Sequence, residues 1–147
     1  MADSFYPFIG SPEDYEFEVS NELPLLKELA FDFESGEFIT DEATGDIKVV
    51  TGKEALKIWI YKAIFTNRYV HEIYSWDYGT ELATLIGQRF SRGLTESEAF
   101  RFISEALLIN PYIDDVVNNK ITFSGDILHI NITVISRYGE VIFDVWR

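Results

Sequence analysis

The order of apolar and polar residues divides the chain into segments with different periods. Residues 54–65 and 95–109 place apolar side chains at the spacing of a helical face. Residues 127–135 alternate apolar and polar positions with a period of two, which is typical of a strand with one buried face. Because the helical and strand patterns are segregated along the sequence, we predict an α+β fold with helices on one face of an antiparallel sheet.

The helical part predicts about three helices. Thr51 and Glu54 match a capping box, and the run that follows has Leu56, Trp59, Ile60 and Ala63 on one stripe. A short helix over residues 80–86 has Asp77 as its N-cap, and Thr95 begins a further helix that ends before Pro111.

The strand part predicts a C-terminal meander and an N-terminal strand or hairpin. Residues 120–123, 127–135 and 141–146 form the meander, and residues 112–119 are expected to be a connector. Short strand-like runs between residues 29 and 50 flank turn sequences rich in Gly, Asp and Ser.

Charge and proline content set residues 1–29 apart from residues 30–147, which we predict to be one α+β domain. Three prolines break any regular period in residues 1–29, so an acidic, aromatic arm is expected. Residues 1–50 carry a formal charge of −11 and residues 51–147 a charge of −2. This balance argues against nucleic acid or anionic lipid as a partner. Two interpretations of the acidic half stay open, a solvated surface and an arm that docks on a basic partner.

Residues 66–79, here called the aromatic loop, separate the first two predicted helices. The loop is rich in large side chains, so it either caps the core or forms a recognition surface. We expect Trp76 and Tyr78 to be partly in the core and Gly79 to supply a turn. Arg68 is expected to face a partner or an acid within the domain.

Catalytic and metal-binding patterns are sparse. The chain has no cysteine, its two histidines are distant in sequence, and no phosphate-binding glycine motif occurs, so no metal or cofactor is predicted. Asp77 and Glu81 are four residues apart and fit either a glycosidase pair or a helix start, of which the helix start is simpler. No apolar run is long enough for a membrane span and no signal peptide is evident, which indicates a protein made in the cytosol.

Several motifs together resemble the baseplate wedge proteins of contractile phage tails, in the version found in phage-like particles of the PBSX type. The resemblance covers roughly residues 29–147. It is carried by Phe31-Asp32-Phe33, Ser35-Gly36-Glu37-Phe38, Gly52-x-Glu54-Ala55-Leu56-Lys57-x-Trp59-Ile60, Thr66-x-Arg68-Tyr69 and Tyr74-Ser75-x-Asp77-Tyr78-Gly79-x-Glu81-Leu82.

The resemblance implies a non-enzymatic subunit that joins the baseplate wedge to the hub and templates the first sheath ring. Its implied partners are another wedge protein, the sheath protein and hub or tube proteins, in multiple copies around a ring. The location would be the baseplate of a virion or phage-like particle assembled in the host cytoplasm. Thr66, Arg68, Tyr69, Tyr78 and Gly79 match family motifs at this loop.

Surface arguments extend this set of candidate interface residues. Trp76 belongs to the aromatic loop, and Val141, Phe143 and Val145 lie on the last predicted strand. An unpaired strand edge invites strand addition from another chain, although a strand paired on both sides fits the sequence equally well. Two alternatives to the assembly role are a cell-wall glycosidase that uses Asp77 and Glu81, and an unrelated protein-binding module.

Overall fold

A computed structural model describes residues 22–86, 92–125 and 127–147 and confirms the α+β fold. The predicted arm falls largely on residues 1–21, which lie outside the described residues. The described elements are β1 (Lys27–Leu29), β2 (Phe31–Asp32), β3 (Glu37–Phe38), β4 (Val49–Thr51), α1 (Gly52–Phe65), a 3₁₀ helix (Leu82–Leu85), α2 (Arg92–Leu108), β5 (Ile113–Ser124), β6 (Ile127–Ser136) and β7 (Gly139–Trp146).

The C-terminal sheet is the predicted antiparallel meander, with strand order β5-β6-β7. In β6 the side chains from Leu128 to Val134 alternate between the core and the outer face, as the period of two predicts. The expected connector at 112–119 is wrong, because β5 starts at Ile113 and pairs with β6 along its length. Two register shifts leave Asp114 and Asn119 as extra residues. Such bulges interrupt the alternation and hide a strand from pattern reading.

Both α-helices contribute to one hydrophobic core with the sheet. Leu56, Ile60 and Ala63 of the predicted stripe are fully buried, whereas Trp59 is half-buried at its margin. From α2, Ile103 is fully buried. The remaining core side chains come mostly from the inner face of the sheet and the 3₁₀ helix, and they include Leu82, Leu85, Val116, Ile121, Leu128, Ile130, Ile132, Val134, Val141 and Phe143.

The described residues hold two α-helices where three were expected. The predicted helix at 80–86 is a single 3₁₀ turn, because Thr84 and Ile86 each donate their backbone N–H to the residue three positions earlier. So short a segment gains too few bonds to offset the cost of starting an α-helix. Glu81, rather than Asp77, occupies the N-cap position.

The predicted helix starts are only partly right. Thr51 does precede α1, but its side chain makes no capping hydrogen bond. The last helix begins at Arg92, before the expected Thr95, and Ser97 donates its hydroxyl to the Gly93 carbonyl one turn back. A capping-box sequence can therefore lie inside a helix when the residues before it also adopt helical geometry.

Residues 22–51 cover one side of the domain with two small antiparallel pairs, β1 with β4 and β2 with β3. The predicted N-terminal strand or hairpin is thus confirmed. Pro24 and Leu26, within the last part of the predicted arm, already contact the domain. The Tyr112 hydroxyl donates to the Pro24 carbonyl at 2.5 Å, and the Leu26 N–H donates to the Tyr138 hydroxyl at 3.0 Å. No helix in the described ranges is long and apolar enough to cross a membrane.

Candidate functional site

The aromatic loop starts and ends at a narrow neck beside the C-terminus of α1. The Thr66 hydroxyl donates to the Lys62 carbonyl at 2.7 Å, which satisfies a carbonyl in the last turn of the helix. The Thr80 N–H donates to the Thr66 carbonyl, and the Arg68 N–H donates to the Thr80 carbonyl, both at 2.9 Å. These two hydrogen bonds hold the two chain segments of the neck together, so the loop projects from a fixed base.

Gly79 makes the close approach at the neck possible. Its φ is +97°, a region that side chains rarely adopt, and a Cβ at this position would lie 2.7 Å from the Thr66 carbonyl oxygen. Both the backbone conformation and the available space therefore require glycine. Gly79, which is expected to supply a turn, lies at a bend directly after the hydrogen-bonded turn of residues 75–78.

Arg68 closes the neck from the side. Its Nε donates to the Gly79 carbonyl at 3.1 Å, and its guanidinium carbon lies 5.9 Å from the centre of the Tyr69 ring. The half-buried side chain makes no ion pair with an acid in the described part of the chain. Within the domain, Arg68 thus binds a main-chain carbonyl instead of the acid that was considered.

The tip of the loop carries paired aromatic rings around a small cavity. The Tyr69 and Trp76 ring centres are 4.9 Å apart, and those of Tyr74 and Tyr78 are 4.8 Å apart. The cavity has a volume of about 220 Å³ and is lined by Asn67, Tyr69, His71, Glu72, Tyr74, Ser75, Trp76 and Tyr78. Tyr69 has a φ of +65°, which is unusual for a bulky residue and indicates backbone strain at the loop.

The two aromatic residues that are expected to be partly in the core, Tyr78 and Trp76, differ in their burial. Tyr78 is half-buried and contacts the edge of Trp59 on α1, with ring centres 6.0 Å apart. Burial, together with the nearby Tyr74 hydroxyl, raises the pKa of Tyr78 to about 12, so its ring stays neutral. Trp76 is 77% exposed, and its expected place in the core is wrong. It packs on Tyr69 within the loop, so its indole remains at the surface.

Arg147, which directly follows β7, is a residue of the neck that sequence reasoning missed. Its guanidinium donates to the Ile64 carbonyl at 2.5 Å, to the Thr80 hydroxyl at 2.9 Å and to the Asn67 side-chain carbonyl at 2.7 Å. Burial lowers the pKa of the guanidinium. The charge lies at the negative end of the α1 dipole, where a cation is favoured. Arg147 therefore ties the end of β7 to the base of the aromatic loop.

The second candidate surface is the outer edge of β7. In the described residues β7 pairs only with β6. The side chains of Val141 and Phe143 are buried in the core and that of Val145 is half-buried. The structure thus directs these three predicted interface side chains inward, and their role at an interface stays a prediction.

The register shows which backbone groups of β7 are open. Leu128 and Arg147 exchange both of their backbone hydrogen bonds, and such pairs alternate along an antiparallel ladder. Since Ile132 opposes Phe143 two steps further along, the odd-numbered residues of β7 bond to β6. The N–H and C=O groups of Glu140, Ile142 and Asp144 consequently point to the open edge.

The outer face of the sheet bears a polar network beside this edge. His129 Nε2 lies 2.6 Å from one Asp144 oxygen, and the Asn131 side chain donates to the other at 2.8 Å. These two contacts, with His129 first, lower the pKa of Asp144. The Trp146 ring stacks on His129 with ring centres 4.1 Å apart. The network orders the side chains that flank the open edge.

The features expected of a glycosidase are weak. Asp77 is exposed on the loop, Glu81 precedes the 3₁₀ helix, and neither carboxylate lines the cavity of the aromatic loop. The described residues contain no group of three or more acids or histidines that would hold a metal ion. The geometry favours surfaces for protein contacts over a reaction centre.

Comparison with known proteins agrees with this description. Residues 27–139 match the family model of the contractile injection system sheath initiator. The chain is also 33% identical over 130 residues to the phage-like element PBSX protein XkdS of Bacillus subtilis (strain 168), an alignment that covers 88% of this chain and 86% of that protein. The resemblance carried by the motifs between residues 31 and 82 is thereby confirmed. The chain belongs to the contractile injection system sheath initiator family, whose members have a structural role at the start of the tail sheath.

Proposed function

We propose that this sheath initiator joins the baseplate wedge to the tail hub and templates the first sheath ring. In this proposal the open edge of β7 accepts a strand of a neighbouring sheath protein, and the aromatic loop contacts a wedge protein. Several copies act around a ring in the tail baseplate of a virion or phage-like particle.

The observation that carries the proposal is the open edge of β7. The strand is eight residues long and presents a row of backbone donors and acceptors on its outer side. Exposed edges of this length pair readily with another chain, and proteins that must stay apart usually protect them. Ile142, which is 69% exposed next to the edge, adds apolar area for an incoming strand.

The aromatic loop supports a second contact. The loop exposes the large side chains of Tyr69, Val70, Ile73 and Trp76 on a base fixed by hydrogen bonds. Exposed apolar patches of this kind mark sites of protein contact. The loop and the end of β7 share the Arg147 contacts, so two partners would bind to one rigid unit.

The proposal is tested by adding the purified protein to sheath protein and following polymer growth by light scattering and electron microscopy. We expect short sheath rings to form sooner with the initiator than without it. A parallel size-exclusion run with the wedge protein should show co-elution, which Trp76→Ala weakens. Unchanged sheath growth together with separate elution would contradict the proposal.

We further propose that the chain does not act as a cell-wall glycosidase. Cell-wall suspensions should keep their turbidity in the presence of the protein between pH 4 and 8. Clearing that is lost in Glu81→Gln would establish the enzymatic alternative instead.

A further inference from the structure

The cavity in the aromatic loop has the chemistry of a binding site for a cation. Its lining residues include four aromatic residues, Tyr69, Tyr74, Trp76 and Tyr78, and one acid, Glu72. Aromatic rings attract cations through their negative faces, and rings grouped around a small space are a recurring way to bind ammonium and guanidinium groups. The negative charge of Glu72 would also attract a cation.

The size of the cavity restricts what it can hold. Its volume of about 220 Å³ is below the range of about 300–1,000 Å³ that is typical of pockets for cofactors and other small molecules. A single long side chain is a more suitable occupant. Arg68 does not line the cavity, but its guanidinium carbon lies 5.9 Å from the Tyr69 ring centre, so one ring of the loop already contacts a cation.

The base of the cavity is ordered before a partner binds. Tyr78 is fixed against Trp59, and Asn67 is held by the Arg147 guanidinium. Gly79 and Arg68 close the neck. Because these contacts already order the base of the loop, a ligand would lose less binding free energy to ordering it.

We propose that this cavity binds the side chain of an arginine or lysine from a protein partner. The inference rests on the proposed function, in which the aromatic loop contacts a wedge protein. The aromatic loop itself carries two acids, Glu72 and Asp77, against one base, Arg68, and its formal charge of −1 favours a cationic group as its neighbour. Glu72 supplies the local complement to the incoming charge.

The site is tested with short peptides and the full chain labelled with nitrogen-15. The probe is the capped pentapeptide Gly-Ser-Arg-Ser-Gly, compared with versions that carry lysine, citrulline or glutamate at the centre. We expect the backbone amides of Ser75 and Trp76 to shift with the arginine and lysine peptides. Citrulline has the shape of arginine without its charge, so its peptide should leave these amides in place.

Two variants distinguish the contribution of the Glu72 charge to binding from that of the aromatic rings. Glu72→Gln should weaken binding of the arginine peptide about three-fold, and Trp76→Leu, which keeps an apolar side chain, about five-fold. Glu42→Gln removes an exposed acid outside both candidate surfaces and serves as the matched control, with no change expected. Equal shifts with the arginine and citrulline peptides would overturn the proposal.

Two further results would also overturn it. If a peptide with proline at the centre binds better than the arginine peptide, the loop is a site for proline-rich segments. If choline binds better, the site fits a lipid headgroup. If the peptides do not bind but the wedge protein still co-elutes, only the proposed cation site is wrong. If the peptides bind but neither sheath growth nor co-elution is seen, only the proposed assembly role is wrong.

Discussion

The two candidate surfaces present different parts of the chain to a partner. The edge of β7 offers backbone groups, and the side chains of the same strand either enter the core or border the edge. The aromatic loop offers side chains, while its backbone is bonded within its own neck. An edge defined by the backbone should tolerate most side-chain changes. A loop defined by side chains on a closely packed base should be sensitive to single substitutions.

Gly79→Ala should have the largest effect on stability and should sharpen this contrast. The new Cβ would meet the Thr66 carbonyl at 2.7 Å in a backbone region that disfavours alanine. We expect the free energy of unfolding to fall by about 3 kcal/mol. Urea denaturation followed by circular dichroism measures the change.

Gly139→Ala is the matched control for this substitution. Gly139 has a similar φ of +93°, but no atom lies within 4 Å of the position of its Cβ. Only the backbone strain remains there, and we expect a loss of about 1 kcal/mol. Equal losses at the two glycines would show that the close approach at the neck contributes nothing.

Arg147→Met should have the next largest effect. The substitution keeps the length of the side chain but leaves the Asn67 and Thr80 side chains and the Ile64 carbonyl without the guanidinium. We expect a loss of about 2 kcal/mol in the free energy of unfolding and faster amide exchange in the aromatic loop. Arg137→Met changes an exposed arginine and should alter neither quantity. If amide exchange in the aromatic loop of Arg147→Met is unchanged, the contacts of Arg147 do not couple β7 to the loop.

Asp144→Asn should have the smallest effect on the free energy of unfolding, and the pH dependence of this effect should be confined to low pH. Its pKa is lowered below 3.8 in the folded state, chiefly by the hydrogen bond with His129. The carboxylate therefore stabilises the fold above pH 3.8, and this contribution is lost as the pH falls through the lowered pKa. The difference in unfolding free energy between the wild type and Asp144→Asn should shrink in that range. A difference that stays constant down to pH 2 would contradict the lowered pKa.

The sequence predicted the parts of the fold that depend on local periodicity. Alternation in β6 and the apolar stripe of α1 reappear in the core, because each follows from one face of a regular element. The first half of β5 was missed because the bulges at Asp114 and Asn119 break that period. Thr95 failed as a helix start because the helix continues upstream to Arg92.

The candidate site was less predictable because its neck is built from distant segments. The Arg147 guanidinium binds groups 67 to 83 residues away, and no local pattern marks such a contact. Trp76 was expected in the core because a large ring gains from burial, but in the loop it packs on Tyr69 and stays 77% exposed. On β7 the pattern identified the strand, but only the register shows that the even-numbered residues face the open edge.

In the proposed function the backbone edge of β7 receives a strand of the sheath. Ile142→Pro removes one outward N–H and leaves the hydrogen bonds to β6 intact, since Ile142 opposes Thr133 in a non-bonded pair. Ile142→Thr keeps the N–H while it shortens the same exposed side chain. We predict that, at equal folded fractions by circular dichroism, Ile142→Pro loses the acceleration of sheath growth and Ile142→Thr retains most of it. Full acceleration by Ile142→Pro would contradict the claim.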